Sequence, residues 1–355
     1  MLNRLQLRGR SISKYFHSIA QARPSASVDL YIPNGAENIF GIRDKIDEES
    51  ILNTPSPFVA DKAKSLFEKY KLGENDQFSF VELTLGKRIK LTHDTYLFKL
   101  DFPEEDKDLV MGTDIARAIR FFKVLPTKEN PEGIMIKRYY TTSSPVDMKG
   151  SVEVPIKIYR ANENSEFSEG GVMTTYLENM RLGDKILVNG PIERLQYYGN
   201  GLVRTGEKGP YDIVKKNHLA FVVGGSGITP YYRIIKDALE NGDPTKFTLI
   251  YSNRTEDDFI FGDELEELAL LYPHKFTYKK AITNPLNHEN LEDVHIGRLT
   301  PEYLLEHLPA PNENVLVANM GPKSFNRFFA NFILRHTSYD PITQVFSRDV
   351  DSLIF

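Results

Sequence analysis

Three stretches of the chain set glycine, hydroxyl and charged residues at spacings that could do chemistry. The first is Gly224-Gly225-Ser226-Gly227-Ile228-Thr229-Pro230, which follows the apolar run Leu219-Ala220-Phe221-Val222-Val223 and opens a helical pattern. Glycines there let a ligand approach the backbone, and a helix N-terminus offers N–H groups to an anion, the geometry that a pyrophosphate needs. Thr229 is placed to cap the helix, and Pro230 suits its first position. The second is Arg138-Tyr139-Tyr140-Thr141-Thr142-Ser143-Ser144-Pro145. A guanidinium can clamp a phosphate bidentately, a phenol ring can stack on a planar group, and a hydroxyl can bond a ring nitrogen. The third is Gly170-Gly171-Val172-Met173-Thr174, glycines and a hydroxyl just before a short helix, a second anion cradle. A packing turn and a polar edge strand are the plain alternatives for the first two.

Other chemistries are excluded. No Gly-x-x-x-x-Gly-Lys-[Ser/Thr] occurs, and Ile228 stands where a Gly-x-Ser-x-Gly elbow needs its last glycine. Neither a P-loop nucleotidase nor a serine hydrolase fits. Cysteine is absent, which removes disulfides, thiolate metal sites, cysteine-ligated iron–sulfur clusters and thiol catalysis. The eight histidines are scattered, so no metal site is expected, and His218 reads as structural. Glu256, Asp257, Asp258, Asp263, Glu264, Glu266 and Glu267 read as helix N-terminal charge and a solvated face. The formal net charge of −5 supplies no basic field for nucleic acid.

The elements that must position these residues fall into two blocks, as a chain of 355 residues suggests. Residues 78–206 read as β-rich runs at 80–85, 95–100, 152–159 and 185–188 with one short helix at 173–180, an antiparallel β-barrel. Residues 217–355 alternate strand and helix. Strands are expected at 219–223, 247–251, 276–281 and 315–318, and helices at 230–241, 263–271, 301–307 and 323–336. Such βα repetition implies a doubly wound, Rossmann-like parallel α/β sheet. The stretch from Glu104 to Lys137, with Arg117, Arg120, Phe121 and Phe122, reads as an insertion, either a partner surface or a solvated barrel loop.

Residues 29–77 read as an accessory extension with one helix at 58–70. Residues 1–28 carry Arg4, Arg8, Arg10, Lys14 and Arg23 with no acid before Asp29, and are rich in serine. That is the pattern of a mitochondrial targeting segment; a basic tail or a surface helix on anionic lipid, hence peripheral membrane association, is the other reading. No run approaches the roughly 18–20 apolar residues of a transmembrane helix.

Taken in order, the motifs resemble those of the NADH–cytochrome b5 reductase family, within the ferredoxin–NADP reductase superfamily, over roughly residues 78–355. Arg138, Tyr140, Thr141 and Ser144 fall on its R-x-Y-[ST]-x-x-S motif, Ile156-Lys157-Ile158-Tyr159 resembles I-K-V-Y, and Gly170 to Thr174 resembles G-G-K-M-S. Gly183-Asp184 and Gly190-Pro191 match the next turns, Gly224 to Pro230 resembles G-G-T-G-I-T-P, and Tyr251 to Asp258 resembles F-A-N-Q-T-E-K-D. Gly321-Pro322 falls on C-G-P-P-P-M, and Phe355 matches the family's terminal phenylalanine.

The resemblance implies a flavoprotein with FAD on the barrel. Arg138 would hold a phosphate, Tyr140 would pack on the isoalloxazine, Thr141 would contact flavin N5 as the catalytic residue, and Gly170, Gly171, Val172, Met173 and Thr174 would form the second phosphate cradle. Ser144 and Lys157 would complete that side. NADH or NADPH would lie on the α/β sheet against Gly225, Ser226, Gly227, Thr229, Met320, Gly321, Pro322 and Phe355. The chain departs from the pattern in five places, one of them Lys323-Ser324 in place of the family's proline run. Met320 replaces the cysteine beside the nicotinamide, and Val172 replaces a lysine. Ile192-Glu193 replaces S-G, and Thr283-Asn284 stands where an acid would read the ribose. The expected function is an FAD-dependent oxidoreductase passing single electrons to a haem protein or similar electron-acceptor protein. The alternative is a catalytically reduced, reductase-like accessory subunit of a larger mitochondrial complex.

Overall fold

A computed structural model of the chain describes residues 56–72, 79–163, 168–192, 195–205, 212–287, 291, 293–310 and 314–335. The stretch 1–28 read as a targeting segment, most of the extension 29–77, Glu193 and Phe355 lie outside the described residues.

Alternation builds the first sheet. In β1 (Val81–Lys90), Val81, Leu83 and Leu85 are buried while Glu82 is exposed, the period of a strand with one face on a core. β1 pairs antiparallel with β2 (Thr95–Asp101) and with β6 (Lys185–Ile192). β2 continues to β5 (Ser151–Lys157), β6 to β3 (Ala118–Leu125), and β3 to β4 (Ile134–Thr141). The order is β4-β3-β6-β1-β2-β5. The outer strands meet where the Ser143 N–H donates to the Glu153 carbonyl at 2.9 Å, which closes the expected barrel. Its core holds Phe98, Phe121, Val154 and Val188, and α2 (Val172–Asn179) lays Met173 and Leu177 onto it.

Three expectations need correction. The stretch 104–137 is not an insertion: it carries β3, a central barrel strand with Ile119 and Phe121 fully buried. Arg117 pairs with the buried Asp114 at 3.1 Å and Arg120 bonds Asn189 at 2.5 Å. Arg120 and Lys123 within the strand hid the alternation. The helix expected at 58–70 is only α1 (Leu66–Tyr70), after a 3-10 turn at Lys62–Lys64. Ser65 is extended because Leu66 N–H and Val110 N–H exchange backbone bonds across it, at 2.9 Å and 3.0 Å; tertiary pairing outcompetes helical spacing. A three-stranded antiparallel sheet also appears where no strand was read: β7 (Leu195–Gly199), β8 (Leu202–Thr205) and β9 (Asp212–Lys215).

The second main sheet is parallel, in the order β13-β12-β11-β10-β14. Its strands are β10 (His218–Gly224), β11 (Lys246–Asn253), β12 (Phe276–Ile282), β13 (Val294–Ile296) and β14 (Val315–Met320). The short β13 is the member not read from sequence. β10 is buried from Leu219 to Gly224, as a strand covered on both faces must be. α3 (Thr229–Glu240) and α4 (Gly262–Leu271) cover one face through Ile234, Ile235, Leu265 and Leu268. α5 (Pro301–His307) and α6 (Lys323–Arg335) cover the other through Leu304, Phe329 and Phe332. Leu195, Tyr197, Val203 and Val214 of the small sheet share the first of these cores.

The N-terminal part of the described chain joins the two halves. Phe58 packs edge-on against Tyr197 in the α/β core, with ring centroids 5.2 Å apart, while Leu66 and Phe67 lie in the barrel core. Between them, buried Asp114 accepts from Ala60 N–H at 2.9 Å and from Gln196 at 2.6 Å. Among the described residues no helix is long and apolar enough to cross a membrane.

Candidate active site

Arg138 and Tyr140 alternate along β4 and so share a face. The Tyr140 ring rests on Phe121, with centroids 4.9 Å apart, and burial pushes its hydroxyl up, so it stays neutral. Arg138 is half-buried; it donates to the Lys137 carbonyl at 2.8 Å, and burial draws it below the usual arginine range. Thr141 ends β4 with a hydroxyl that has no bond among the described residues. Five positions on, Val146 packs against the α/β core. The end of β4 therefore sits at the junction of the domains. The Ser144 hydroxyl accepts from Glu153 N–H at 3.3 Å, so it serves barrel closure.

The second cradle is built by backbone. Gly170 has φ +76°, and a Cβ there would lie 2.9 Å from the Tyr159 carbonyl oxygen. The first bond of α2 runs from Thr175 N–H to the Gly171 carbonyl, 2.8 Å. The amides of Val172, Met173 and Thr174 precede it and remain for an acceptor. The side chains do other work. Met173 is core, and Thr174 accepts from Tyr159 N–H at 3.2 Å and donates to the Gly171 carbonyl at 3.1 Å. Val172 is exposed, so this helix start carries no side-chain charge.

Across the junction, Gly225 to Ile228 form a 3-10 turn that runs straight into α3. Thr229 is itself helical and buried, so it does not cap the helix as expected, whereas Pro230 does lie in the first turn. The glycines divide by role. A Cβ on Gly227 would meet the Met320 carbonyl oxygen at 2.2 Å, and one on Gly321 would meet Phe325 at 2.7 Å, so both are packing positions. A Cβ on Gly225 would meet nothing nearer than Asn253 Oδ1 at 4.0 Å, which leaves the approach to this turn open. Tyr251 holds it from beneath: its hydroxyl donates to the Gly225 carbonyl at 3.0 Å and accepts from Ile260 N–H at 3.2 Å. Ser226 is half-buried; its carbonyl accepts from Thr229 N–H, and its hydroxyl makes no hydrogen bond among the described residues. Beside it, the Asn253 side-chain amide is buried without a partner. Met320 packs against the same core as Val146, and the Asn319–Asn326–Gly321 bonds, 2.9 Å and 2.8 Å, fix the turn that carries Gly321 and Pro322.

A cluster missed in the sequence lies between the domains. Lys157 sits 2.7 Å from Asp94 and 4.0 Å from Asp258, and His93 stands 3.5 Å from Asp94 and 3.7 Å from Asp258. His93, Asp94 and Asp258 are close enough together to suggest a metal site, but the Lys157 ammonium already supplies the cation. Asp258 is buried, accepting from Thr255 N–H and hydroxyl at 2.9 Å and 2.8 Å, which corrects its reading as solvated. Only the fold brings 93, 157 and 258 together. His218 is structural as expected, bonded to Thr248 at 2.9 Å.

These features fit the cofactors that the motifs imply. Free amides at the start of α2 suit a phosphate. The free Thr141 hydroxyl suits a ring heteroatom, and the orphaned Asn253 amide and the open Gly225 approach suit a nucleotide.

Comparison with known proteins agrees. Residues 82–197 match the oxidoreductase FAD-binding domain and residues 221–331 the oxidoreductase NAD-binding domain. The chain is 32% identical over 243 residues to NADH-cytochrome b5 reductase 2 of Homo sapiens, covering 68% of this chain and 84% of that protein. It is 33% identical over 262 residues to nitrate reductase [NADH] 1 of Oryza sativa subsp. japonica, covering 73% of this chain and 27% of that much longer protein. The cytochrome b5 reductase domain of Ulva prolifera nitrate reductase shares the fold, with a TM-score of 0.65 at 24% identity over 74% of this chain and 94% of that one. With an FAD-binding barrel followed by an NAD-binding α/β sheet and this degree of identity to a reductase matched over most of its length, the chain belongs to the NADH–cytochrome b5 reductase family within the ferredoxin–NADP reductase superfamily.

Proposed function

We propose that the protein is an FAD-dependent reductase that takes hydride from NADH or NADPH and delivers single electrons to a haem protein. The observation that carries this reading is the convergence of two sites on one junction. Val146, just past Thr141, and Met320, opposite Gly227, pack on the same core. When bound, FAD supplies the conversion between two-electron and one-electron transfer. The residues of the chain bind and orient. With the cofactors bound, Arg138 and the α2 amides would hold phosphates, Tyr140 would offer a ring face backed by Phe121, and Thr141 would offer its hydroxyl to the flavin. On the other side the Gly225 turn would seat a pyrophosphate, with Met320 beside it. Orientation of this kind is worth several kcal/mol of barrier, about 7–11 in favourable cases. No side chain acts as acid or base in this scheme.

Anaerobic addition of NADH, then NADPH, to the purified protein is the test. Rapid bleaching of a yellow absorbance band, reversed by a haem acceptor, is the expected result; a colourless protein, or a band indifferent to both nucleotides, overturns the reading. The basic, acid-free residues 1–28 support a mitochondrial address. A reporter fused behind them should enter mitochondria, and a diffuse reporter would remove that address.

A further inference from the structure

Tyr251 brings an atom that the motif does not carry. F-A-N-Q-T-E-K-D opens on a phenylalanine, and this chain adds a hydroxyl at that position of β11. The residue is fully buried. Burial pushes the hydroxyl up, with the Asp258 and Asp94 charges adding to it, so it stays protonated. It bonds two separate segments, donating to the Gly225 carbonyl at 3.0 Å and accepting from Ile260 N–H at 3.2 Å. One oxygen atom thereby ties the glycine turn to the segment between β11 and α4.

That segment, residues 254–261, is held as a unit and reaches the barrel. Asp258 Oδ2 accepts from Thr255 N–H at 2.9 Å and from its hydroxyl at 2.8 Å. Phe259 packs edge-on against the Tyr251 ring, with centroids 5.0 Å apart, and Phe261 stacks on Tyr232 of α3 at 3.9 Å. Phe261 has a φ of +58°, a conformation that a bulky residue keeps only where its surroundings hold it. The other oxygen of Asp258, Oδ1, faces the barrel, 4.0 Å from the Lys157 ammonium and 3.7 Å from His93 Nδ1. This connection spans a crevice of about 270 Å³ between the domains. On its far side Lys157 is held by Asp94 at 2.7 Å, and the Asp94 carbonyl accepts from Ile158 N–H at 2.7 Å. The turn before β2 and the end of β5 are therefore one anchored piece.

We propose that Tyr251 is a positioning residue that couples the two domains: a nucleotide seated on the Gly225 turn tightens, through the Tyr251 hydroxyl, Ile260 and Asp258, the hold of the α/β domain on Lys157 and His93 of the barrel. The inference rests on the reductase reading, which makes that turn a pyrophosphate seat, but it is tested without turnover. Contacts in series carry coupling only if cutting them at either end abolishes it. Amide hydrogen exchange of the flavin-loaded protein is followed with and without saturating 5′-ADP, which has a diphosphate but no nicotinamide to touch the flavin. The expected result is at least about fivefold slower exchange at residues 91–95 and 156–158 with 5′-ADP bound, while residues 81–85 of β1 do not change. Tyr251→Phe and Asp258→Asn cut the series at its two ends. Both should still bind 5′-ADP, as calorimetry checks, and both should lose the slowing; Asp258→Asn carries the test alone if the Tyr251 variant gives no soluble protein. No slowing in the unmodified protein with 5′-ADP bound, slowing that extends equally to 81–85, or slowing that survives in either variant overturns this inference alone. Failure of 5′-ADP to bind the unmodified protein overturns it together with the reductase reading.

Discussion

The ammonium of Lys157 on barrel strand β5 lies 2.7 Å from the Asp94 carboxylate, and the same ammonium reaches Asp258 of the α/β domain at 4.0 Å. Burial alone would push Asp94 up, but the Lys157 charge and hydrogen bond, with Thr95 and His93 assisting, outweigh it and hold the carboxyl below its ordinary range. A depressed carboxyl stabilises the fold above its ordinary pKa and loses that contribution as pH falls below about 4. Lys157→Met should therefore lower stability at neutral pH by about 2 kcal/mol and make acid unfolding begin at higher pH. Thermal melts across a pH series check both effects; identical acid limbs for the two proteins would refute them.

Glycines 225 and 227 should separate cleanly. Gly227→Ala places a carbon 2.2 Å from a backbone oxygen of β14, so little soluble protein is expected. Gly225→Ala has space but a φ of +57°, which costs about 1 kcal/mol. It should fold, keep its flavin and bind dinucleotide at least several-fold more weakly, as read by calorimetry.

Tyr251→Phe removes a donor to the Gly225 carbonyl and an acceptor for Ile260 N–H. Leaving two backbone groups unpaired should cost about 2–3 kcal/mol and loosen the Gly225–Ile228 turn. Differential scanning calorimetry measures the first effect, and hydrogen exchange at residues 225–228 the second.

Arg138→Ala should lower flavin affinity by at least about tenfold, because the half-buried guanidinium proposed to clamp a flavin phosphate is lost. Arg138→Lys should recover part of it, since an ammonium keeps charge without the fork. Flavin content after dialysis reports both, and full retention in the alanine variant would remove Arg138 from the site.

Much of this was legible because periodicity speaks clearly where one face is buried. The run at 219–223 and the helix at 301–307 appear where they were read. The strand β3 was not read, because Arg120 and Lys123 interrupt its apolar pattern and Arg120 finds its partner, Asn189, far along the chain. Helical spacing at 58–70 was real, but backbone pairing with Val110 overrode it. The glycine turns were recognisable as turns, yet which glycine stays open and which packs against neighbouring backbone depends on β14 and α6, which no local pattern reveals. The Lys157 cluster was invisible for the same reason: its members come from β2's leading turn, β5 and the turn after β11.

The span from Phe58 to Phe67 places an anchor in each of the two cores, with Asp114 knotting the chain between them. A shortened recombinant version starting at β1 would thus lose a buckle rather than an appendage. It would bare Tyr197 on one side and the barrel floor on the other, leave the two halves free to swivel, and melt in two steps instead of one.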